Sequence, residues 1–249
     1  MARSEFIRKA LFALSVPKCV ACKGRLSYGD LALCPNCYTE FRENCTRNCS
    51  RCAKVLSRCT CPGEYLEAHR IKKVVKVFRY LQREENRASN SLIYSLKRDN
   101  RRDVLELCAD LLFDALSASF DNLSELVFTN VPRRRVSIVE FGIDHSEALS
   151  RELAKRAGAE FMSLFSSSAK RAQKSLHGEK RINNAVFKIK NKADLNGKTL
   201  VIVDDVITTG ASMCAVADLA RTLGAKQIIA ASLGIVYKDK FTPPQFTFF

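Results

Sequence analysis

Residues Leu200 to Ser212 read L-V-I-V-D-D-V-I-T-T-G-A-S, and few folds accept such a run. The apolar stretch Leu200-Val201-Ile202-Val203 needs cover on both faces, which a parallel sheet provides by packing helices on either side. Two adjacent carboxylates follow, Asp204 and Asp205, then the turn Thr208-Thr209-Gly210-Ala211-Ser212. Val216, Ala220 and Leu223 then recur at helical spacing, with Gly224 at the helix end. Backbone N–H groups of a glycine-bearing turn at a helix N-terminus form a cup for a phosphate. Carboxylates just before the turn suit sugar hydroxyls or Mg²⁺, which takes oxygen ligands. Side by side, the two features describe a site for a sugar phosphate.

The remaining pattern extends this to an α/β domain. Val74, Val75, Val77, Phe78 and Tyr80 suggest a strand, as do Val127–Val131, Phe161–Phe165 and Gln227–Ile235. An amphipathic helix starts at Leu92. A second runs from about Arg102 to Ser117, with Leu105, Ala109, Leu112 and Leu116 in step. Asp144-x-x-Glu147 resembles a capping box for a helix that ends near Gly158. Strands alternating with helices imply a parallel sheet, and ligands of such sheets sit beyond the carboxyl ends of the strands, where the acidic pair lies. Ser166–Asn184 is polar and basic and reads as a mobile loop. Phe6, Leu11 and Leu14 suit a short amphipathic helix at the start rather than a signal peptide.

Nine of the eleven cysteines fall between Cys19 and Cys61. Cys19-x-x-Cys22 and Cys34-x-x-Cys37 together offer the tetrahedral sulfur set of a structural Zn²⁺. Cys49-x-x-Cys52 and Cys59-x-Cys61 offer a second set, with an irregular spacing in its last pair and Cys45 as a possible substitute ligand. Crossed pairing of the knuckles stays open. A segment so poor in large apolar residues needs metal to fold. Paired thiolates without an evident export signal fit a reducing, cytoplasmic setting better than disulfides. The expected division is a Cys-rich module with a short N-terminal helix over 1–66 and the α/β domain over 67–249. No apolar run is long enough for a transmembrane segment.

The formal charge is +15 over 249 residues. Its clusters include Lys97 and Arg98, Arg133 to Arg135, and Lys170, Arg171 and Arg181. Such a balance favours phosphate-rich partners, either nucleic acid or a polyphosphate.

The Asp204–Ser212 segment resembles the 5-phosphoribosyl-1-pyrophosphate (PRPP) signature of type I phosphoribosyltransferases. The resemblance implies that Asp204 and Asp205 hold the ribose hydroxyls. It places Val206 in the same site and implies that Thr208, Thr209, Gly210, Ala211 and Ser212 wrap the 5′-phosphate, with Mg²⁺ carried by PRPP. It also implies pyrophosphate contacts from the Val131-Pro132-Arg133 loop and from a mobile loop holding Lys170, Arg171 and Arg181.

Leu92-Ile93-Tyr94-Ser95-Leu96-Lys97, Gln173-x-x-Leu176 and the later Arg181 and Asn184 are similar to elements of the ComF competence-protein family, in that family's order after a zinc module. That narrower resemblance implies single-stranded DNA and other competence proteins as partners in DNA uptake. It departs at Phe141-Gly142-Ile143-Asp144-His145, where the family often shows R-G-F-N-Q. His145 reads as a surface residue at a helix start. The alternative is an enzyme of nucleotide salvage or synthesis that joins a base to PRPP. A third reading is a zinc-ribbon adaptor with a purely regulatory PRPP site.

Overall fold

The structure, a computed structural model, describes residues 17–81, 86–169 and 185–236. Its centre is a five-stranded sheet of β1 (Lys73–Arg79), β2 (Val127–Asn130), β3 (Glu160–Phe161), β6 (Thr199–Ile207) and β7 (Gln227–Ile235). The strand order is β1-β7-β6-β2-β3, and all neighbours are parallel. The fold is therefore α/β with a parallel sheet, as the alternation of patterns predicts. In β6, Val201 and Val203 enter one core and Leu200 and Ile202 the other. This is the period of two expected of a strand covered on both faces.

Helices α3 (Arg87–Arg98), α4 (Arg102–Ser117) and α6 (His145–Ala157) contribute to the first core, and α7 (Ala211–Thr222) to the second. The bounds of α4 and β7 match the sequence reading, and α3 starts five positions before Leu92. Asp144 caps α6 by accepting from the N–H groups of Ser146 and Glu147 (both 3.1 Å), and Gly158 closes it in the left-handed region.

Two expectations change and one helix is added. The strand expected over Phe161–Phe165 is only the two residues of β3. Ser166–Ala169, expected as the start of a Ser166–Asn184 loop, instead lie in an antiparallel ribbon, β4 (Phe165–Ala169) on β5 (Ala185–Ile189). The short α5 (Arg135–Phe141) has no sequence forecast and buries none of its residues. The N-terminal helix, Lys170, Arg171, Arg181, Gln173, Leu176 and Asn184 lie outside the described residues.

The Cys-rich segment is packed onto the sheet. Helix α1 (Pro35–Cys45) buries Phe41, whose ring meets Phe78 of β1 edge-on at 5.6 Å. Leu26, Leu33 and Phe41 belong to the same core as α4 and β6. Glu64–Ala68 forms a short helix, α2, where the sequence suggests only a junction. Among the described residues, no helix is long and apolar enough to cross a membrane.

Candidate functional site

A pocket of about 250 Å³ opens beyond the carboxyl ends of β2 and β6, lined by Lys97, Arg133, His145, Ser146, Asp204, Asp205 and Ser212 among others. Asp204 is partly exposed on its wall and Asp205 is buried. Asp204 Oδ1 accepts from the Ser146 hydroxyl (3.2 Å) and from the Asp205 N–H (2.9 Å). Asp205 Oδ1 accepts from the Val206 N–H at 2.6 Å. Its other oxygen lies 2.7 Å from His145 Nε2 and 2.9 Å from Lys97 Nζ.

The two carboxyls are thus held in opposite states. Burial, and then the neighbouring Asp205 charge, push Asp204 up to about 8. Burial would also raise Asp205, but the hydrogen bond and charge of His145, followed by the charge of Lys97, hold it down at about 2. Adjacent carboxylates in a low-dielectric site resist ionising together. Asp204 keeps a proton until a ligand brings positive charge or hydroxyl donors. Asp205 is the fixed anion to which α3 and α6 are fastened.

The turn after β6 has the backbone a phosphate cup requires. Gly210 sits at φ 82°, immediately before α7. A Cβ there would lie 2.8 Å from Leu66 Cδ2, so both the backbone conformation and the approach of α2 select glycine. No side chain caps α7, and the first-turn amides of a helix have no intrahelical acceptor. The Ala211 N–H reaches Thr209 Oγ1 at 3.3 Å, and Ser212 lines the pocket. Thr208 and Thr209 are exposed, and Val206 is buried beneath the turn.

Arg133 stands at the pocket rim with its guanidinium donating to the Lys97 carbonyl (2.9 Å) and its N–H donating to Asp144 (2.9 Å). His145 is not a surface residue: it is 5% exposed and faces Asp205. A histidine just inside a helix start ordinarily meets solvent, but the Asp144 cap turns this one toward β6. Sequence reasoning also missed Lys97 as a site residue. The signal was present, because Leu92, Ile93, Leu96 and Lys97 share one helix face, and the first three are buried.

The eight knuckle cysteines gather into the two expected sets. Cys19, Cys22, Cys34 and Cys37 form one group, and Cys49, Cys52, Cys59 and Cys61 the other, with the sulfurs of each within 4.8 Å of one another. The Cys22 and Cys34 sulfurs are 3.7 Å apart, the edge of a tetrahedron with bonds of about 2.3 Å. The knuckles repeat one geometry. Cys19 and Cys49 donate their N–H to the carbonyls of Gly24 and Lys54 (both 2.8 Å), and Lys23 and Ala53 take left-handed backbone. Burial raises the Cys19 and Cys49 thiols, yet N–H groups from the knuckle loops outweigh it and bring both down to about 7. Thiolates held by backbone donors are the form a metal takes. Cys59 is extended, so Cys61, two residues on, projects to the same side. That explains the irregular spacing. The donor sets fit Zn²⁺.

The family model of the phosphoribosyl transferase domain matches residues 141–240. That part of the chain is similar to the phosphoribosyl transferase domain, and it contains both carboxylates and the turn. Two curated relatives are ribose-phosphate pyrophosphokinases. The one from Parasynechococcus marenigrum (strain WH8102) is 43% identical over 51 residues, 20% of this chain and 14% of that protein. The one from Pyrococcus abyssi (strain GE5 / Orsay) is 44% identical over 46 residues, 18% of this chain and 16% of that protein. The chain therefore spans only about a seventh of the length of these relatives.

Among solved structures, it is similar to purine phosphoribosyltransferase from Pyrococcus horikoshii, with a TM-score of 0.35 and 20% identity, covering 53% of this chain and 72% of that one. It is also similar to adenine phosphoribosyltransferase from Saccharomyces cerevisiae, with a TM-score of 0.37 and 19% identity, covering 54% and 73%.

Proposed function

We propose that this protein binds PRPP with Mg²⁺ in the pocket at the ends of β2 and β6, and that it is a ComF-like phosphoribosyltransferase-family protein acting on single-stranded DNA in DNA uptake. The observation that carries the PRPP reading is that Asp204, Asp205 and Ser212, the last residue of the Gly210-centred turn, line one pocket. In this reading, the amides of Gly210, Ala211 and Ser212, with the hydroxyls of Thr208, Thr209 and Ser212, hold the 5′-phosphate. Asp204 accepts from the ribose hydroxyls, and its proton leaves as they bind. Asp205 keeps Asp204 in place and, through Lys97 and His145, fixes the pocket walls. Arg133 faces the pyrophosphate, with Lys170, Arg171 and Arg181 as further anion contacts. Mg²⁺ would be held by pyrophosphate oxygens and the acidic pair, and would supply charge neutralisation of the leaving group. Zn²⁺ in the two cysteine sets would be structural.

Titration calorimetry with Mg-PRPP tests this. Asp204→Asn with Asp205→Asn loses binding by at least about a hundredfold, two charged hydrogen-bonding groups being removed. Unchanged affinity in that double variant refutes the assignment.

A surface feature supports the nucleic-acid part. The Arg98 guanidinium lies 4.7 Å from the Tyr94 ring and 5.1 Å from the Phe141 ring, and the Arg133 guanidinium lies 4.9 Å from the Phe141 ring. Tyr94 is 55% exposed, and Val136 and Val139 of α5 are also open. Alternating aromatic and guanidinium planes suit unstacked bases, with Arg134 and Arg135 for phosphates. Tyr94→Ala with Phe141→Ala should weaken binding of an unstructured oligonucleotide about tenfold or more at every salt concentration. Arg134→Ala with Arg135→Ala should flatten the salt dependence. A salt-independent interaction contradicts this reading. The salvage-enzyme alternative instead predicts base-dependent release of pyrophosphate.

A further inference from the structure

Lys76 has no exposed surface, although it is a lysine in the middle of an apolar strand. Its ammonium donates to Cys59 Sγ (3.2 Å), the Cys61 carbonyl (2.7 Å) and the Val74 carbonyl (3.2 Å). Those contacts use its three protons, and no carboxylate is among them. A buried ammonium with only neutral partners costs several kcal/mol. Of these three partners, the Cys59 sulfur is the one able to carry negative charge. Among the described residues the first cysteine set has no buried ammonium companion: Lys23 is exposed and donates to the Val20 carbonyl.

We infer that Lys76 is the counter-ion of a metal-loaded tetrathiolate made by Cys49, Cys52, Cys59 and Cys61, and that this second metal centre is part of the sheet. It rests on the zinc reading of the cysteines and is independent of the PRPP site. Four thiolates around a divalent ion carry a net charge of −2, and one buried ammonium halves it. The attachment to the sheet is a direct backbone hydrogen bond. The Val74 N–H of β1 donates to the Thr60 carbonyl at 3.0 Å, between the two cysteines, so that Cys59–Cys61 runs along the edge strand. Cys59 is 1% exposed, while Cys22 of the first set is open to solvent. The ligand class is a thiophilic divalent cation, with Zn²⁺ as the probe.

The test uses the full chain purified under reducing conditions. Elemental analysis should give two zinc ions per wild-type chain and one in Cys52→Ala. In competition with a chromophoric chelator, Lys76→Met should release one zinc at roughly 10–100-fold weaker affinity and keep the other unchanged, the range seen when a partner of a metal ligand is lost. After Co²⁺ exchange, the sulfur-to-metal charge-transfer band of the variant should move to longer wavelength, because Cys59 sulfur loses a hydrogen bond. A merely space-filling lysine would shift neither reading. If Lys76→Met does not fold, Lys76→Gln, which removes the charge and keeps donors, carries the affinity comparison, and the band comparison is made in Lys76→Ala. One zinc per wild-type chain, equal affinities or an unmoved band overturns the inference. No zinc at either set overturns the zinc reading itself.

Discussion

Asp204→Asn should raise the thermal unfolding midpoint of the ligand-free protein at pH 7, and Asp205→Asn should lower it. The two residues are neighbours and both carboxylates, so only their surroundings can produce opposite signs. Asp204 has its folded value raised to about 8. Between about pH 4 and pH 8 the unfolded chain ionises this group and the folded chain does not. Its contribution therefore falls as pH rises through that window, and asparagine removes the penalty. A gain of about 1 kcal/mol, or roughly 2–4 °C for a chain of this size, is the expected scale.

Asp205 has its folded value lowered to about 2. Its contribution is present above about pH 4 and is lost as pH falls from there toward 2. Asparagine keeps the acceptor for the Val206 N–H but removes the charge that faces His145 and Lys97. Lys97 is 36% exposed and can turn to water, so the loss sits at the low end for a broken buried pair, about 3 kcal/mol, or roughly 6–12 °C. Calorimetric scans of both variants at pH 5 and pH 7 check this. Shifts of the same sign at pH 7 contradict the division of roles.

The second large effect is that of metal removal. A structural Zn²⁺ site supplies on the order of 10 kcal/mol of folding energy at neutral pH. The Cys-rich segment shares its apolar contacts with the sheet: Phe41 is fully buried against Phe78, and Leu26 and Leu33 lie in the same core. Stripping the metal should therefore lower the midpoint of the whole chain in one transition, by at least about 10 °C, rather than melt an independent module first. Circular dichroism melts with and without a chelator distinguish the cases. Two separated transitions would contradict the shared core.

The fold was largely legible because its strands and helices carry strong periods. The α4 stripe and the apolar run of β7 needed no tertiary information, and the Asp144 cap announces α6 by local hydrogen bonding alone. The β4–β5 ribbon was hidden because Ser166, Ser167 and Ser168 lack a strand period and pair with residues about twenty positions away. Helix α5 was hidden because Val136, Ile138 and Val139 are β-branched and the helix buries none of its residues.

At the site, the consecutive motif was readable, since Asp204 to Ser212 acts through local backbone. His145 and Lys97 converge on Asp205 only through tertiary packing, from 60 and 108 positions away (205 − 145 and 205 − 97). For Lys76 the anomaly was visible in Val-Val-Lys-Val-Phe, but its thiolate partner was not.

The central claim is that one wall of one pocket grips PRPP at both ends, and a crystal structure of the chain with Mg-PRPP tests it most directly. The account predicts the 5′-phosphate within hydrogen-bond distance of the Ala211 and Ser212 amides and a ribose hydroxyl on Asp204, with Asp205 still paired to Lys97 and His145. A bound PRPP whose phosphate lies away from that turn, or a saturated crystal with no ligand at Asp204, would contradict it.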